Sequence, residues 1–213
     1  VDFRLDGKKV VLDCANGASY QVARRVYESL GAEVVTIGDQ PNGVNINDGC
    51  GSTHPELLQK TVVKEGAFLG LAFDGDADRL IVSDEKGRVL DGDKTIAICA
   101  KMLKSEGRLA GDKVTATVMS NIGLHKAMEA EKSSVDVTGV GDRYVLERML
   151  ETGGVIGGEQ SGHIIFLEHT TTGDGILSSL QFVKAVLASG RPASELADEI
   201  VIYPQILVNA KIN

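Results

Sequence analysis

The chain has 213 residues, of which 43% are hydrophobic, so it is long enough for one large or two small domains with a substantial core. Its net charge of −8, without a basic cluster, argues against nucleic acid or an anionic membrane as a partner. Cys14, Cys50 and Cys99 lack a C-x-x-C spacing, which predicts reduced thiols in a cytoplasmic protein, with no zinc site and no disulfide framework. No run of residues resembles a signal peptide or a membrane span.

The first half of the chain is predicted to alternate strands with helices. Apolar residues recur at helical spacing between Val22 and Leu30, and Gly31 is typical of the position just beyond a helix end. The run from Thr53 to Glu56 has the pattern of a capping box, which predicts that a helix begins there. The predicted elements are strand 7–12, helix 22–30, strand 33–37, a helix opening at 53–56, strands 67–73 and 80–82, and a helix around 96–103.

The second half repeats this order weakly. Asn16 and Asn121 each come shortly before a helix and next to a glycine-containing turn, and Asn121 either caps its helix or faces a ligand. Asp142 is expected to cap a later helix, or to present that helix start to an anion together with Arg143. The predicted elements are strand 114–118, a helix from 124, strand 135–137, a helix after 142, strand 154–157 and a core helix over 176–187.

This alternation predicts two consecutive α/β domains with mixed, mainly parallel sheets flanked by helices. We expect the first domain to span residues 1–107 and the second to span residues 108–213. Ligands of open α/β sheets bind beyond the carboxyl ends of strands. The segments that follow the third strand of each half are therefore the expected functional edges.

Three aspartates, Asp74, Asp76 and Asp78, stand at alternate positions between two apolar runs, and Arg79 follows at once. Carboxylates held around one point repel one another unless a cation lies among them, and hard oxygen ligands suit Mg²⁺. The guanidinium of an arginine matches the geometry of a phosphate group. The segment therefore predicts a site for Mg²⁺ and phosphate.

Two simpler interpretations of the acidic segment compete with this one. Asp-Gly-Asp is common turn chemistry, so the segment could be an acidic surface turn. A calcium loop is the second alternative, because Glu85 is twelfth when counted from Asp74. Its sixth position is Arg79, where an EF-hand needs glycine, and its flanks resemble strands, which argues against an EF-hand.

The corresponding segment of the second half, residues 157–163, surrounds four polar side chains with glycines. Glycines permit a tight turn and a close approach of the backbone. Glu159, Gln160 and Ser161 supply hydrogen-bond acceptors and donors, and His163 is suited to proton exchange near neutral pH. This set suits a polyhydroxylated ligand such as a sugar. A glycine-rich turn with incidental polar residues is the alternative.

On these residues the chain resembles the α-D-phosphohexomutases over essentially its whole length. The run from Asp74 to Arg79 is similar to the family's metal-binding loop, and residues 158–163 are similar to its sugar-binding loop. Gln160 and the run 140–145 are similar to the branch that acts on phosphorylated glucosamine. The resemblance covers the second and third of the family's four domains, and residues 203–213 resemble the lead-in to the fourth.

The resemblance implies an enzyme that interconverts glucosamine 6-phosphate and glucosamine 1-phosphate through a phosphoserine and a bisphosphate intermediate. The phosphoserine loop belongs to the family's first domain and the loop that grips the substrate phosphate to its fourth, so the chain alone is expected to be inactive. The implied roles are Mg²⁺ binding by Asp74, Asp76 and Asp78, phosphoryl contact by Arg79, substrate contact by Glu159, Gln160, Ser161, Asp142 and Arg143, and proton transfer by His163.

Other functions stay open at the level of the sequence. A phosphomannomutase or phosphoglucomutase of the same family differs only in its sugar. A phosphatase of the haloacid-dehalogenase type is another candidate, because an apolar strand followed by Asp74-x-Asp76 resembles its nucleophile motif, although Asp78 replaces a small residue of that motif. A metal-stabilised interaction module without catalytic activity is the last alternative.

Overall fold

The structure is a computed structural model that describes residues 2–206. Along these residues strands and helices alternate, with a 3₁₀ turn at Ala110–Asp112. The strands are β1 Lys9–Asp13, β2 Glu33–Ile37, β3 Leu69–Phe73, β4 Leu80–Ser83, β5 Val89–Leu90, β6 Lys113–Thr117, β7 Ser134–Thr138, β8 Ile156–Gly158 and β9 Ile164–Phe166. The helices are α1 Val22–Ser29, α2 Glu56–Glu65, α3 Gly92–Ser105, α4 Ile122–Ala130, α5 Asp142–Thr152, α6 Gly175–Ser189 and α7 Ala193–Asp198.

The first sheet is built around β1, which pairs in parallel with β2 on one side and with β3 on the other. Parallel neighbours need crossover connections, and α1 and α2 supply them. β4 and β5 add antiparallel strands, so the order is β2-β1-β3-β4-β5. Every residue of β3 is buried, which explains its unbroken apolar sequence.

The second sheet repeats this topology. β6 pairs in parallel with β7 and β8, and β9 runs antiparallel to β8, which gives the order β7-β6-β8-β9. In each half a hairpin is followed by a long helix, α3 in the first and α6 in the second. The predicted fold class, two α/β units with mixed sheets flanked by helices, is confirmed.

The long helices α3 and α6 pack against each other, and each also contacts strands of both sheets. One continuous cluster of buried residues runs from Leu12 and Leu71 in the first sheet through Phe182 on α6 to Ala116 in the second. The boundary near residue 108 stays a prediction, because the apolar core is not interrupted there.

Two helix starts differ from the predicted caps. Pro55 occupies the cap position of α2, no side chain bonds to the first amides of that helix, and Thr53 therefore forms no capping box. α5 begins at Asp142 itself, after Gly141 with φ of 129° and ψ of 137°. Asp142 thus lies in the first turn, where its charge interacts favourably with the helix dipole. Asn121 does cap α4, since its side-chain oxygen accepts the Gly123 N–H at 2.9 Å.

The three cysteines are buried and free, as the sequence predicts. Burial raises the pKa of Cys14 to about 11, so this thiol is protonated at neutral pH. None of the described helices combines the length and the apolar character that a membrane crossing requires.

The last described residues run along the start of α4. The Asn121 side chain accepts the Tyr203 N–H at 3.0 Å and donates to the Tyr203 carbonyl at 2.8 Å. The Gln205 amide donates to the Met119 carbonyl at 2.9 Å. Of the predicted lead-in at 203–213, residues 207–213 lie outside the described residues.

A buried hydrogen bond of 2.7 Å from Tyr27 on α1 to Ser179 on α6 joins the two halves. We predict that Tyr27→Phe lowers the free energy of unfolding by about 1 kcal/mol, because the Ser179 oxygen loses a donor while the ring still fills its space. Chemical denaturation of the wild type, Tyr27→Phe, Ser179→Ala and the double variant measures the coupling energy. A coupling near zero would show that the bond adds no stability.

Candidate functional site

The three aspartates lie in the turn that joins β3 to β4. Ala77 adopts a left-handed conformation there, with φ of 65°, which is uncommon for a residue other than glycine. One carboxylate oxygen each of Asp74, Asp76 and Asp78 lies within 4.8 Å of the others. The structure thus brings the three predicted side chains together at the carboxyl end of β3.

The charges in this turn are incompletely compensated. Burial raises the pKa of Asp74 and the neighbouring Asp78 raises it further, while the Arg79 N–H, which donates to Asp74 Oδ1 at 3.1 Å, opposes the rise. Asp78 Oδ1 is buried and has no hydrogen-bond partner among the described residues. A buried carboxylate oxygen without a donor is costly. The hard oxygen donors of this cluster, one of them unpartnered, fit a small divalent cation such as Mg²⁺.

Arg79 lies over the same cluster. Its Nε is 3.7 Å from both Asp74 Oδ2 and Asp78 Oδ1, which is too long for a hydrogen bond. The side chain keeps 41% of its surface exposed. Its guanidinium can therefore reach a ligand outside the turn.

The second predicted loop is the turn between β8 and β9. The Glu159 N–H donates to the His163 carbonyl at 2.9 Å, and the Gly162 N–H donates to the Glu159 carbonyl at 3.0 Å. Glu159 Oε1 also accepts the Gly141 N–H at 3.1 Å, which fixes the direction of the carboxylate. Ser161 is exposed at the tip of the turn.

The two turns meet edge to edge. The Leu80 N–H donates to the Gly162 carbonyl at 3.0 Å, and Arg79 pairs with His163 as an isolated antiparallel bridge. A methyl group at Gly162 would lie 2.4 Å from the Leu80 carbonyl oxygen, so this approach requires glycine. The predicted metal cluster and the predicted polar loop are therefore adjacent.

His163 fills the space between the turns. Its residue is 3% exposed, and its Nε2 accepts the Gly173 N–H at 3.1 Å and lies 3.6 Å from Asp78 Oδ2. A ring nitrogen that accepts a hydrogen bond carries no proton, so the proton of the neutral ring is on Nδ1. Nδ1 is buried without a partner among the described residues. The ring supports the turns from behind, and its role in proton transfer stays a prediction.

The other predicted contacts divide into anchored side chains and exposed ones. Gln160 is anchored, because its side-chain Nε2 donates to Asp91 Oδ2 at 3.2 Å and its backbone carbonyl accepts the Gly92 N–H at 2.9 Å. Asp142 is largely exposed, with Oδ2 at 3.9 Å from His163 Nε2. Arg143 is 82% exposed and pairs with the neighbouring Glu147 at 2.8 Å.

Two glycines of the site were missed by sequence reasoning. The Gly175 N–H donates to the Ala77 carbonyl at 2.8 Å, so α6 begins against the aspartate turn. A methyl group at Gly173 would lie 2.5 Å from the His163 ring, and one at Gly175 would lie 2.3 Å from the Arg79 carbonyl oxygen. Their signal in the sequence is the run Gly-Asp-Gly at 173–175, which resembles an ordinary turn.

The start of α3 contributes a buried charge beside the second loop. Asp91 caps this helix by accepting the Lys94 N–H at 3.1 Å. Asp93 is fully buried, and its Oδ2 accepts the Asn121 N–H at 2.6 Å. Burial raises the pKa of Asp93 to about 6.

Two cavities flank the joined turns. One of about 270 Å³ adjoins Asp76 and Asp78 and continues along residues 170–174. The other, of about 380 Å³, is lined by Thr117, Met119, Val140, Glu159, Gln160 and Ser161.

The fold and the site define a family. Models of the α/β/α domain II and domain III of phosphoglucomutase/phosphomannomutase match residues 2–87 and 91–203. The chain therefore belongs to the phosphoglucomutase/phosphomannomutase family.

Relatives of known name narrow the comparison. The phosphoglucosamine mutase of Pelotomaculum thermopropionicum is 57% identical over 98% of this chain and 47% of its own length. That of Heliobacterium modesticaldum is 57% identical over 100% of this chain and 46% of its own length. The chain thus spans about half the length of the curated relatives it matches.

Solved structures share the fold. A phosphoglucomutase/phosphomannomutase family protein from Burkholderia thailandensis superposes with a TM-score of 0.76 at 27% identity, over 94% of this chain and 44% of its own. An N-acetylphosphoglucosamine mutase from Aspergillus fumigatus superposes with a TM-score of 0.73 at 21% identity, over 95% of this chain and 47% of its own.

Asp93 generates a prediction about pH. Its pKa in the folded chain lies above the ordinary 3.8, so the native state holds a proton that the unfolded chain releases between about pH 4 and pH 6, and stability falls as pH rises through this window. Asp93→Asn lacks this loss. Its unfolding free energy relative to the wild type should rise by about 2 kcal/mol between pH 4.5 and 7.5, at about 1.4 kcal/mol per pKa unit.

Urea denaturation at a series of pH values measures this difference. The control is Asp2→Asn, which changes an exposed carboxylate and should follow the wild-type profile. Parallel profiles for Asp93→Asn and the wild type would contradict the raised pKa.

Proposed function

We propose that this chain is the central part of a phosphoglucosamine mutase, an enzyme that interconverts glucosamine 6-phosphate and glucosamine 1-phosphate. The observation that carries the proposal is the Leu80–Gly162 contact, which sets a cluster of three carboxylates beside a polar glycine loop. The carboxylate cluster suits the metal ion that a phosphoryl transfer uses, and the polar loop suits the hydroxyl groups of a sugar. The names of the relatives, at 54–57% identity, support the choice of sugar.

In this proposal Asp74, Asp76 and Asp78 hold Mg²⁺. The bound ion supplies charge neutralisation at the phosphoryl group during its transfer. The unpartnered Asp78 Oδ1 supports this assignment, and so does the raised pKa of Asp74, which is caused by burial first and by the neighbouring Asp78 next. The Arg79 side chain, which is 41% exposed, binds the oxygens of the same phosphoryl group.

The sugar is assigned to the 380 Å³ cavity beside the second loop. Glu159 accepts hydrogen bonds from sugar hydroxyls, in a direction fixed by the Gly141 N–H, and Ser161 donates or accepts at the tip of the turn. Gln160 shapes the loop through Asp91 and is left with its amide oxygen for a ligand. His163 holds or passes a proton near the ligand.

The start of α5 is assigned to the charged part of the substrate. Arg143 is exposed there and can contact an anionic group of the substrate. The exposed carboxylate of Asp142 adds a negative charge beside it, which can contact a polar group of the same substrate. The Arg143 N–H already donates to Asp142 Oδ1 at 2.7 Å, so the contact with the anion is assigned to the Arg143 side chain. The phosphoserine that donates the phosphoryl group, and a loop that grips the substrate phosphate, are supplied by other domains of the complete cytoplasmic enzyme, so the chain alone is inactive.

Of the other functions, a phosphomannomutase or phosphoglucomutase uses the same site with a different sugar. Membership of the phosphoglucomutase/phosphomannomutase family sets aside the haloacid-dehalogenase-type phosphatase. The position of the carboxylate cluster beside the polar loop argues against a purely structural role for the cluster.

The metal assignment predicts that Asp76→Asn weakens Mn²⁺ binding to the 213-residue chain at least tenfold, because one of three charged ligands becomes neutral. Electron paramagnetic resonance of free Mn²⁺ measures the affinity. Asp2→Asn is the matched control and should bind as the wild type does. Equal affinities for Asp76→Asn and the wild type would remove the aspartate from the site.

The sugar assignment predicts that the complete protein converts glucosamine phosphate with a kcat/KM well above that for glucose or mannose phosphate. Coupled assays with the three hexose 6-phosphates measure this ratio. Ser161→Ala should lower kcat/KM by about tenfold, since a ligand hydroxyl loses a partner. A preference for mannose phosphate would assign the chain to the other branch of the family.

A further inference from the structure

Asp13 is a buried charge that the proposed mechanism does not use. It ends β1, an interior strand of the first sheet, and is fully buried. Its Oδ1 accepts the Ala15 N–H at 3.0 Å and its Oδ2 accepts the Gly51 N–H at 2.8 Å. Burial raises its pKa, against the effect of these two amides. One carboxylate thus joins two separate loops through their backbones.

The first of these loops is strained. Ala15 and Asn16 both have left-handed backbone conformations, with φ of 54° and 49°. Residues other than glycine adopt this region only when their surroundings hold them there. The bond from the Ala15 N–H to Asp13 is one such restraint, and the Asn16 side chain adds another by donating to the Asn45 carbonyl at 3.2 Å.

Both loops support the aspartate turn from behind. Gly17 lies so close to Gly75 that a methyl group on it would be 2.2 Å from the Gly75 carbonyl oxygen, which also accepts the Ala18 N–H at 2.8 Å. On the other side, the Ser52 N–H donates to the Phe73 carbonyl at 2.8 Å, immediately before the first aspartate.

A bond between the two supporting loops completes the frame. The Asn47 N–H donates to the Ala15 carbonyl at 2.9 Å. The space beside Gly75 is filled by Ile46 and Asn47, since a methyl group there would lie 2.7 Å from Ile46 Cδ1 and 2.8 Å from Asn47 Nδ2. The aspartate turn is thus held by backbone contacts that lead back to Asp13.

We propose that Asp13 is a positioning residue of the metal site, whose buried carboxylate fixes the two loops that hold the Asp74–Asp78 turn in its binding geometry. The inference rests on the proposed function, in that it takes this turn to bind a divalent cation. Asp13 itself contacts neither the cation nor the substrate. Its effect is on the spacing of the three carboxylates.

The test is Asp13→Asn in the 213-residue chain, with Mn²⁺ as the probe. The amide keeps the size of the side chain but sets an N–H₂ group against one of the two backbone amides. We expect Mn²⁺ affinity to fall about tenfold, as for other residues that support metal ligands. The measurement is made well below the thermal transition of every variant.

Asp84→Asn is the matched control. Asp84 is also fully buried, and its Oδ1 accepts the N–H groups of Lys86 and Arg88, both at 2.9 Å, in the β4–β5 turn. Unlike Asp13, it also pairs with an arginine side chain, since its Oδ2 accepts Arg88 Nε–H at 2.8 Å. The control should lose stability but change Mn²⁺ affinity less than twofold. Two outcomes would overturn the role of Asp13: a Mn²⁺ affinity equal to that of the wild type in both variants, or the same loss of affinity in both. Absence of Mn²⁺ binding in the wild type would instead reject the metal assignment, and the inference with it.

A second pair of variants applies if Asp13→Asn does not fold. A methyl group at Gly38 would lie 2.6 Å from Asp13 Oδ1, so Gly38→Ala displaces the carboxylate without removing it. Gly87→Ala is its control, at a comparable positive φ (78°, against 58° for Gly38) in the β4–β5 turn. Weaker Mn²⁺ binding in Gly38→Ala alone supports the proposal, and equal binding in the two variants contradicts it.

Discussion

The hydrogen bond from the Leu80 N–H to the Gly162 carbonyl is the contact on which the geometry of the site depends. It continues β-type pairing from one hairpin turn to the other, so the separation of the carboxylate cluster from the polar loop is set by backbone atoms. Backbone pairing at this distance leaves no room for a side chain at Gly162. The site is therefore formed by both halves of the chain. A change that shifts one half against the other alters the position of the carboxylate cluster relative to the polar loop.

The repeated topology explains why these particular turns meet. Each lies at the carboxyl end of the third strand of its sheet, and each is followed by a long helix. The helix of each half begins against the turn of the other half. The Gly92 N–H at the start of α3 donates to the Gln160 carbonyl, and the Gly175 N–H at the start of α6 donates to the Ala77 carbonyl. Free amides at helix starts need acceptors, and this exchange supplies them while it joins the halves.

The sequence was sufficient for the fold class and for both turns, because hydrophobic periodicity and clustered charges are local signals. It predicted a capping box at Thr53 and a cap at Asp142, and both were wrong, since Pro55 and Gly141 take those cap positions. It also missed Gly173 and Gly175. These residues matter because a side chain at either position would collide with His163 or with the Arg79 backbone. Such contacts join residues far apart in sequence, so no local pattern reports them.

The buried aspartates of the described residues differ in the donors that reach them, but a missing donor alone does not mark the metal site. Asp93 Oδ1 is also buried without a partner among these residues, and Asp93 is not part of the three-carboxylate group. Asp13 and Asp84 are fully buried. Backbone N–H groups satisfy Asp13, and backbone N–H groups together with the Arg88 guanidinium satisfy Asp84. In the β3–β4 turn, by contrast, Asp74 receives the Arg79 N–H while Asp78 Oδ1 receives no hydrogen bond from the described residues. The carboxylates of the β3–β4 turn receive fewer hydrogen bonds than Asp13 and Asp84 do. Their mutual repulsion therefore remains in the native state. A divalent cation relieves that repulsion, so the clustering of three carboxylates, together with the missing hydrogen bond, favours metal binding.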